Sequence, residues 1–180
     1  MLVALFEDEG ECCVILTRRA LSLRAHGGEI AFPGGRSEGD ETPTATALRE
    51  AREEIDLDSA LVTPIAWLTP LSTYSSAMSI WPVVATLAQR PALRADPVEV
   101  DRVFSVALRD LVADDAFVEE RWRAPVLHRD ADDDGYASLY FFRVPGDVIW
   151  GATARVLTEL LCHVTGVPWP GEGGQPSTAP

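Results

Sequence analysis

Glu50, Glu53 and Glu54 stand at i, i+3 and i+4 in the run Arg49-Glu50-Ala51-Arg52-Glu53-Glu54, shortly after Phe32-Pro33-Gly34-Gly35. On a helix this spacing puts three carboxylates on one face. Like charges so placed destabilise an isolated helix by roughly a few tenths of a kcal/mol per pair. A hard divalent cation such as Mg²⁺ or Mn²⁺ relieves that repulsion. A solvated acidic face would account for the run taken alone, but not for the glycine pair before it, which lets backbone approach an ion or a phosphate closely. Such a site suits hydrolysis at phosphorus, where cations neutralise phosphoryl charge and acidify the attacking water.

The elements that must position these groups are legible from the pattern. Thr42 is an N-cap and Pro43 suits the first helical position. Leu48, Ala51 and Ile55 form a core-facing stripe, and the helix is expected to stop near Asp56. Upstream, Leu2–Phe6 and Cys12–Thr17 read as a hairpin around the polar turn Glu7–Glu11. The chain starts almost inside that first strand, which points to covering residues upstream. Arg18–Gly28 is a polar connection carrying Arg18, Arg19, Arg24 and His26. Downstream, Leu61–Leu71, Ser79–Ala88, Val100–Val106, Val118–Arg123, Pro125–His128 and Leu139–Val144 read as strands. Leu108–Val112 is a helical turn, and Arg129–Gly135 is an acidic turn without calcium-loop spacing. Trp150–Val164 is an amphipathic helix with Ala154, Leu157, Leu160 and Leu161 inward, ended by Gly166 and Pro168. The expected architecture is one α/β domain over residues 1–167 with a disordered tail at 168–180.

The 180 residues are 47% hydrophobic, enough for one real core, and their formal net charge is −13. That charge argues against nucleic acid or an anionic membrane as partner. It leaves room for a small anion, since a cation and a few arginines can reverse the sign within one pocket. Cys12, Cys13 and Cys162 lack any metal-binding spacing and read as buried, reduced thiols. No signal peptide or apolar span is visible, so the expected compartment is the cytoplasm.

The spacing from Gly35 through Glu41, Arg49-Glu50, Ala51 and Glu53-Glu54 to Leu57 resembles the Nudix box. Asp56, where the family has Gly, is the departure; that Gly ends the helix in a left-handed conformation, which Asp adopts at a cost of roughly 1 kcal/mol. The resemblance implies a Nudix-like α/β/α sandwich with a mixed central sheet, and a metal-dependent pyrophosphatase. It implies Glu50 and Glu54 as first metal ligands, Glu53 sharing in the cluster and the Gly35 backbone close by. Arg49 and Glu41 look like the ion pair of the box that supports them. The general base stays open among Glu50, Glu53 and Glu99, the last lying outside the box.

The flanks resemble the coenzyme A pyrophosphatase branch of that family. They comprise Ile15-Leu16-Thr17-Arg18-Arg19-Ala20, then Leu23-Arg24, His26, Gly28 and Ala31–Gly35, with Thr46–Ala51 and Ile149–Ala154 further on. Ala20 and Glu29 depart from that branch's Ser and Gln. The branch implies cleavage of the CoA diphosphate to 3′,5′-ADP and 4′-phosphopantetheine, with Mg²⁺ or Mn²⁺ as cofactor. Arg18, Arg24 and His26 are then the candidates for the substrate phosphates, the 3′-phosphate included. A homodimer is compatible with the sequence. Two other readings compete: a Nudix pyrophosphatase for another nucleoside diphosphate derivative, and a silent nucleotide-binding sensor. Against the sensor stands the intact set of three glutamates.

Overall fold

The computed structural model describes residues 1–72, 79–123 and 135–168, and the backbone of 177–178. Strands β1 (Leu2–Asp8) and β2 (Glu11–Arg19) form the expected hairpin, with Leu5 opposite Val14. β3 (Ile30–Ala31) follows, then helix α1 (Pro43–Ile55). β4 (Val62–Trp67), β5 (Leu71–Ser72), β6 (Ser79–Ile80) and β7 (Val83–Leu87) come next. β8 (Val100–Ala107) runs into the short helix α2 (Leu108–Leu111). β9 (Phe117–Arg123), β10 (Tyr136–Val144) and β11 (Asp147–Ile149) precede helix α3 (Gly151–Thr165), and β12 (Ser177–Thr178) is last.

The central sheet has the order β12-β4-β7-β1-β2-β3, with β8 also on β2. It is mixed, as expected: β1 and β7 are parallel, whereas the other pairs are antiparallel. Period-two alternation sorts the side chains to its two faces. Leu2, Ala4, Phe6, Ile15, Val83 and Ala85 pack with Ala47, Ala51 and Ile55 of α1. Val3, Leu5, Val14, Leu16 and Val84 pack with Leu157, Leu160 and Leu161 of α3 and with Tyr140 and Phe142 of β10. The second layer therefore combines a helix with the three-stranded sheet β11-β10-β9.

Two expected strands are shorter than their hydrophobic runs. The segment 61–71 breaks after Trp67, and 79–88 breaks at Pro82, whose ring removes the backbone N–H; its carbonyl accepts from Leu68 N–H at 3.0 Å. The cysteines are free, but only Cys13 is buried; Cys12 alternates outward at the hairpin end and Cys162 is partly covered. Pro125–His128 and most of the acidic turn lie outside the described residues, as does most of the proposed tail. Of that tail Pro168 and the backbone of Ser177–Thr178 are described, and the latter pair antiparallel with β4.

Candidate active site

Helix α1 holds the acidic face by well-defined ends. Thr42 Oγ1 accepts from Ala45 N–H at 3.2 Å and Pro43 opens the first turn. At the other end Asp56 adopts φ 56° and ψ 32°, the left-handed cap that the position demands. Leu57 N–H then reaches back to Ala51 C=O at 3.3 Å, the crossed bond of a Schellman stop. The carbonyls of Glu54 and Ile55 accept from Asp96 and Arg94 N–H at 2.9 and 3.0 Å, so the segment before β8 is tied to the same helix end.

The three glutamates sit in different surroundings. Glu54 is 4% exposed and its Oε2 accepts from Gly34 N–H at 2.9 Å. Burial pushes its carboxyl up to about 7, against the Gly34 bond and the Arg19 charge, while Glu50 and Glu99 add to the rise. Glu50 has a 13% exposed side chain and its carboxyl is likewise raised, first by burial. Glu53 is 60% exposed. Carboxylates driven toward the neutral form by burial and mutual repulsion are a donor set that a divalent cation would satisfy. Glu50, Glu54 and the backbone at Gly35 are the groups that would hold it. As they stand, no three such side chains converge on one point among the described residues; arginines hold them instead.

Arg49 is the hub. Its Nε and Nη2 fork onto the two Glu41 oxygens at 2.9 and 3.1 Å. Its Nη1 meets both Glu50 and Glu53 at 3.1 Å, and Nη2 also donates to Arg36 C=O at 2.8 Å. Glu41 accepts further bonds from Glu38 N–H and Thr46 Oγ1, each at 3.0 Å. Arg49 first, then the Glu38 amide, holds the Glu41 carboxyl down at about 2. The glycine turn fits around this hub. A methyl group at Gly35 would lie 2.4 Å from the Glu50 carboxyl, and one at Gly34 would lie 2.5 Å from the Met1 Cα.

The basic residues are divided by the alternation of β2. Arg19 points to the acidic helix, with Nη1 3.9 Å from Glu54 Oε1. Arg18 points to the opposite face, 3.7 Å from Asp147 and 3.9 Å from Asp101, where Arg102 also bonds Asp147. Arg18 is thus turned away from the acidic helix that Arg19 faces. Arg24 is exposed in the loop and forms no ion pair among the described residues. His26 Nδ1 lies 3.1 Å from both oxygens of Glu29. That loop is fastened at Arg19, whose N–H donates to Glu29 C=O at 2.9 Å and whose C=O accepts from Gly28 at 3.0 Å. Glu99 is exposed, and its carbonyl accepts from Ala20 N–H at 2.9 Å. Arg19 and the Gly34 amide, marked in the sequence only as part of a basic connection and of a glycine pair, stand directly beside Glu54. Following β2 as far as Arg19 would have placed the first.

Residues 1–129 match the NUDIX domain family. The chain belongs to the Nudix family. It is 36% identical over 164 residues to Nudix hydrolase 22, chloroplastic, of Arabidopsis thaliana, covering 87% of this chain and 52% of that protein. It is 33% identical over 153 residues to the uncharacterized Nudix hydrolase NudL of Photorhabdus laumondii, covering 84% and 76%. The chain thus spans about half the length of the Arabidopsis relative and about three quarters of NudL. Among solved structures, the Nudix hydrolase RenU of M. smegmatis superposes with a TM-score of 0.54 at 25% identity, covering 63% of this chain and 71% of that one. A C. elegans Ap4A hydrolase shares the fold with a TM-score of 0.52 at 20% identity, covering 62% and 80%. The relatives it matches are named Nudix hydrolases, and Nudix hydrolases work with divalent cations. No described helix is long and apolar enough to cross a membrane.

Proposed function

We propose that this Nudix hydrolase cleaves the diphosphate of coenzyme A or its derivatives to 3′,5′-ADP and 4′-phosphopantetheine, with Mg²⁺ or Mn²⁺. The observation that carries the reading is the anchoring of loop 20–29, which bears the CoA-type motif, on Arg19, the residue beside Glu54. When bound, the cation neutralises phosphoryl charge and acidifies the attacking water. Glu50, Glu54 and the Gly35 backbone would hold it, Glu53 would complete the acidic face, and Arg49 with Glu41 would keep the ligands in place. The water oxygen bonds to one phosphorus, the bridging P–O bond breaks, and the water proton passes to a carboxylate. Glu99 is our choice for that base, since it is exposed and its charge reaches both Glu50 and Glu54.

Arg24 carries the recognition of the 3′-phosphate. Arg18 and His26 already hold Asp147 and Glu29, which a phosphate must displace before they contribute. The enzyme acts as a small-molecule hydrolase in the cytoplasm, with no nucleic-acid partner.

The test is a panel of CoA, acyl-CoA, ADP-ribose, NADH and deoxynucleoside triphosphates with each cation, with products followed directly. Turnover of another diphosphate with none of CoA would overturn the substrate assignment and favour a different Nudix pyrophosphatase. Glu54→Gln should lower kcat/KM by about 10²-fold or more while the fold persists; a fully active variant would show the metal face to be elsewhere. Arg24→Ala should raise KM for CoA by about tenfold and leave KM for dephospho-CoA nearly unchanged.

A further inference from the structure

We propose that Asp96 is a positioning residue for the general base: it closes the turn Asp96-Pro97-Val98-Glu99 and so sets where Glu99 stands beside the acidic helix. This rests on the assignment of Glu99 as that base.

The residue types of the turn suit that task. Aspartate is favoured at the first position of a four-residue turn and proline at the second, where its fixed φ pre-forms the bend. Asp96 C=O accepts from Glu99 N–H at 3.2 Å and from Val100 N–H at 2.8 Å. Its Oδ1 accepts from Val98 N–H at 3.0 Å, an aspartate bonded to the amide two residues on. Among the described residues the Asp96 carboxylate enters no ion pair. Pro97, Val98 and Glu99 are all exposed, so packing contributes little to the shape of the turn.

Both ends of the turn are fastened to the site. Asp96 N–H donates to Glu54 C=O at 2.9 Å, and Arg94 N–H to Ile55 C=O at 3.0 Å. At the far end Glu99 C=O accepts from Ala20 N–H at 2.9 Å, and Val100 stands opposite Arg19. Arg19 itself reaches toward Glu54. Glu99 is therefore held between the backbone of Glu54 and the strand end whose arginine faces that same residue. A cleft of about 400 Å³ separates Arg52, Glu53 and Asp56 from residues 94–97, so the segment borders the acidic face. The Glu99 charge acts on Glu50 and Glu54 alike, adding to the rise of both carboxyls. A base must stand within hydrogen-bond reach of its water, and small displacements are costly. Only the Val98 bond ties the turn through a side chain.

The test uses the full chain with Mg²⁺ and CoA, or whichever diphosphate of the panel is turned over. Glu99→Gln should lower kcat by about 10²-fold or more. Asp96→Ala should lower kcat by about tenfold with KM nearly unchanged, and Asp96→Asn, whose amide oxygen still accepts from Val98, should recover most of that loss. On the Glu99→Gln background Asp96→Ala should cost no more than about twofold, since the two changes remove one function. In the metal-free protein Asp96→Ala should speed hydrogen exchange at the Val98 and Glu99 amides by about tenfold, with the α1 amides unaffected. Calorimetric Mg²⁺ affinity should stay at the wild-type value. A fast Asp96→Ala enzyme beside a slow Glu99→Gln one overturns the positioning role alone. A fast Glu99→Gln enzyme overturns the base assignment and the positioning with it. Full additivity of the two changes, a fall in Mg²⁺ affinity, no recovery in Asp96→Asn, or an Asp96→Ala chain that fails to fold each overturns the proposal, because Asp96 would then act on something other than Glu99.

Discussion

Gly35 shows how one absent side chain sets the chemistry of another. Its backbone is not among the positive-φ glycines, so alanine there meets no intrinsic strain. What alanine meets is the Glu50 carboxyl, 2.4 Å from the new methyl. Glu50 is held on its other side by Arg49 at 3.1 Å and must leave that position. Gly35→Ala should therefore lower kcat by about tenfold or more, as misplaced ligands do. The melting temperature should move little. Unchanged turnover in steady-state assays would mean that Glu50 functions from a different place. Arg49 teaches the complementary lesson. It touches Glu41, Glu50, Glu53 and the Arg36 carbonyl at once. Lysine, a compact point charge without the planar fork, cannot reproduce that set.

Helix α1 ends where it does because Asp56 accepts a conformation that glycine adopts freely. The exposed Asp56 carboxylate recovers part of that cost through Arg52 at 3.4 Å and Arg94 at 3.5 Å. Exposed pairs of this kind contribute little. Asp56→Gly should thus stabilise the protein by roughly 0.5–1 kcal/mol with kcat unchanged, as read from urea unfolding and initial rates. A loss of stability would show that the two arginines outweigh the backbone relief. The caps and stripe of α1, and the apolar face of α3, were legible because helical periodicity and end signals are local. The β1–β2 hairpin was legible for the same reason. β3 and β11 were not, since two- and three-residue strands exist only through their partners. The turning of Arg18 away from the acidic helix was missed because the basic connection was read as beginning at Arg18. β2 runs to Arg19 and turns neighbouring arginines to opposite faces.

The molecule as a whole combines acids of opposite effect, one buried and one half-buried. The Glu54 carboxyl, raised to about 7, keeps its proton in the folded state where the unfolded chain, near the ordinary value of 4.5, has lost it. Glu50 is raised in the same sense. Lowering pH from 7 to 4.5 therefore favours the metal-free fold. Glu41, held at about 2, works the other way: below 4.5 the unfolded chain takes the proton first, and stability is lost as pH falls toward 2. Thermal unfolding with a chelator present should show both limbs, with Glu54→Gln flattening the upper and Glu41→Gln the lower. A pH response unaltered by Glu54→Gln would remove that residue from the account.

The parallel pairing of β1 with β7 bears on how the chain reaches this state. β1 lies inside the sheet, yet Leu2 finds its partner only at Val83. Its other neighbour, β2, is complete almost at once, but the outer edge of β2 waits for β8, where Val14 meets Val106. A hairpin that forms early must persist with both edges open until distant segments arrive. Such non-local closure slows folding, and it leaves the apolar strands Leu2–Phe6 and Cys13–Leu16 open to association while they wait. During synthesis this protein depends on its hairpin staying apart from its neighbours until the middle of the chain has emerged.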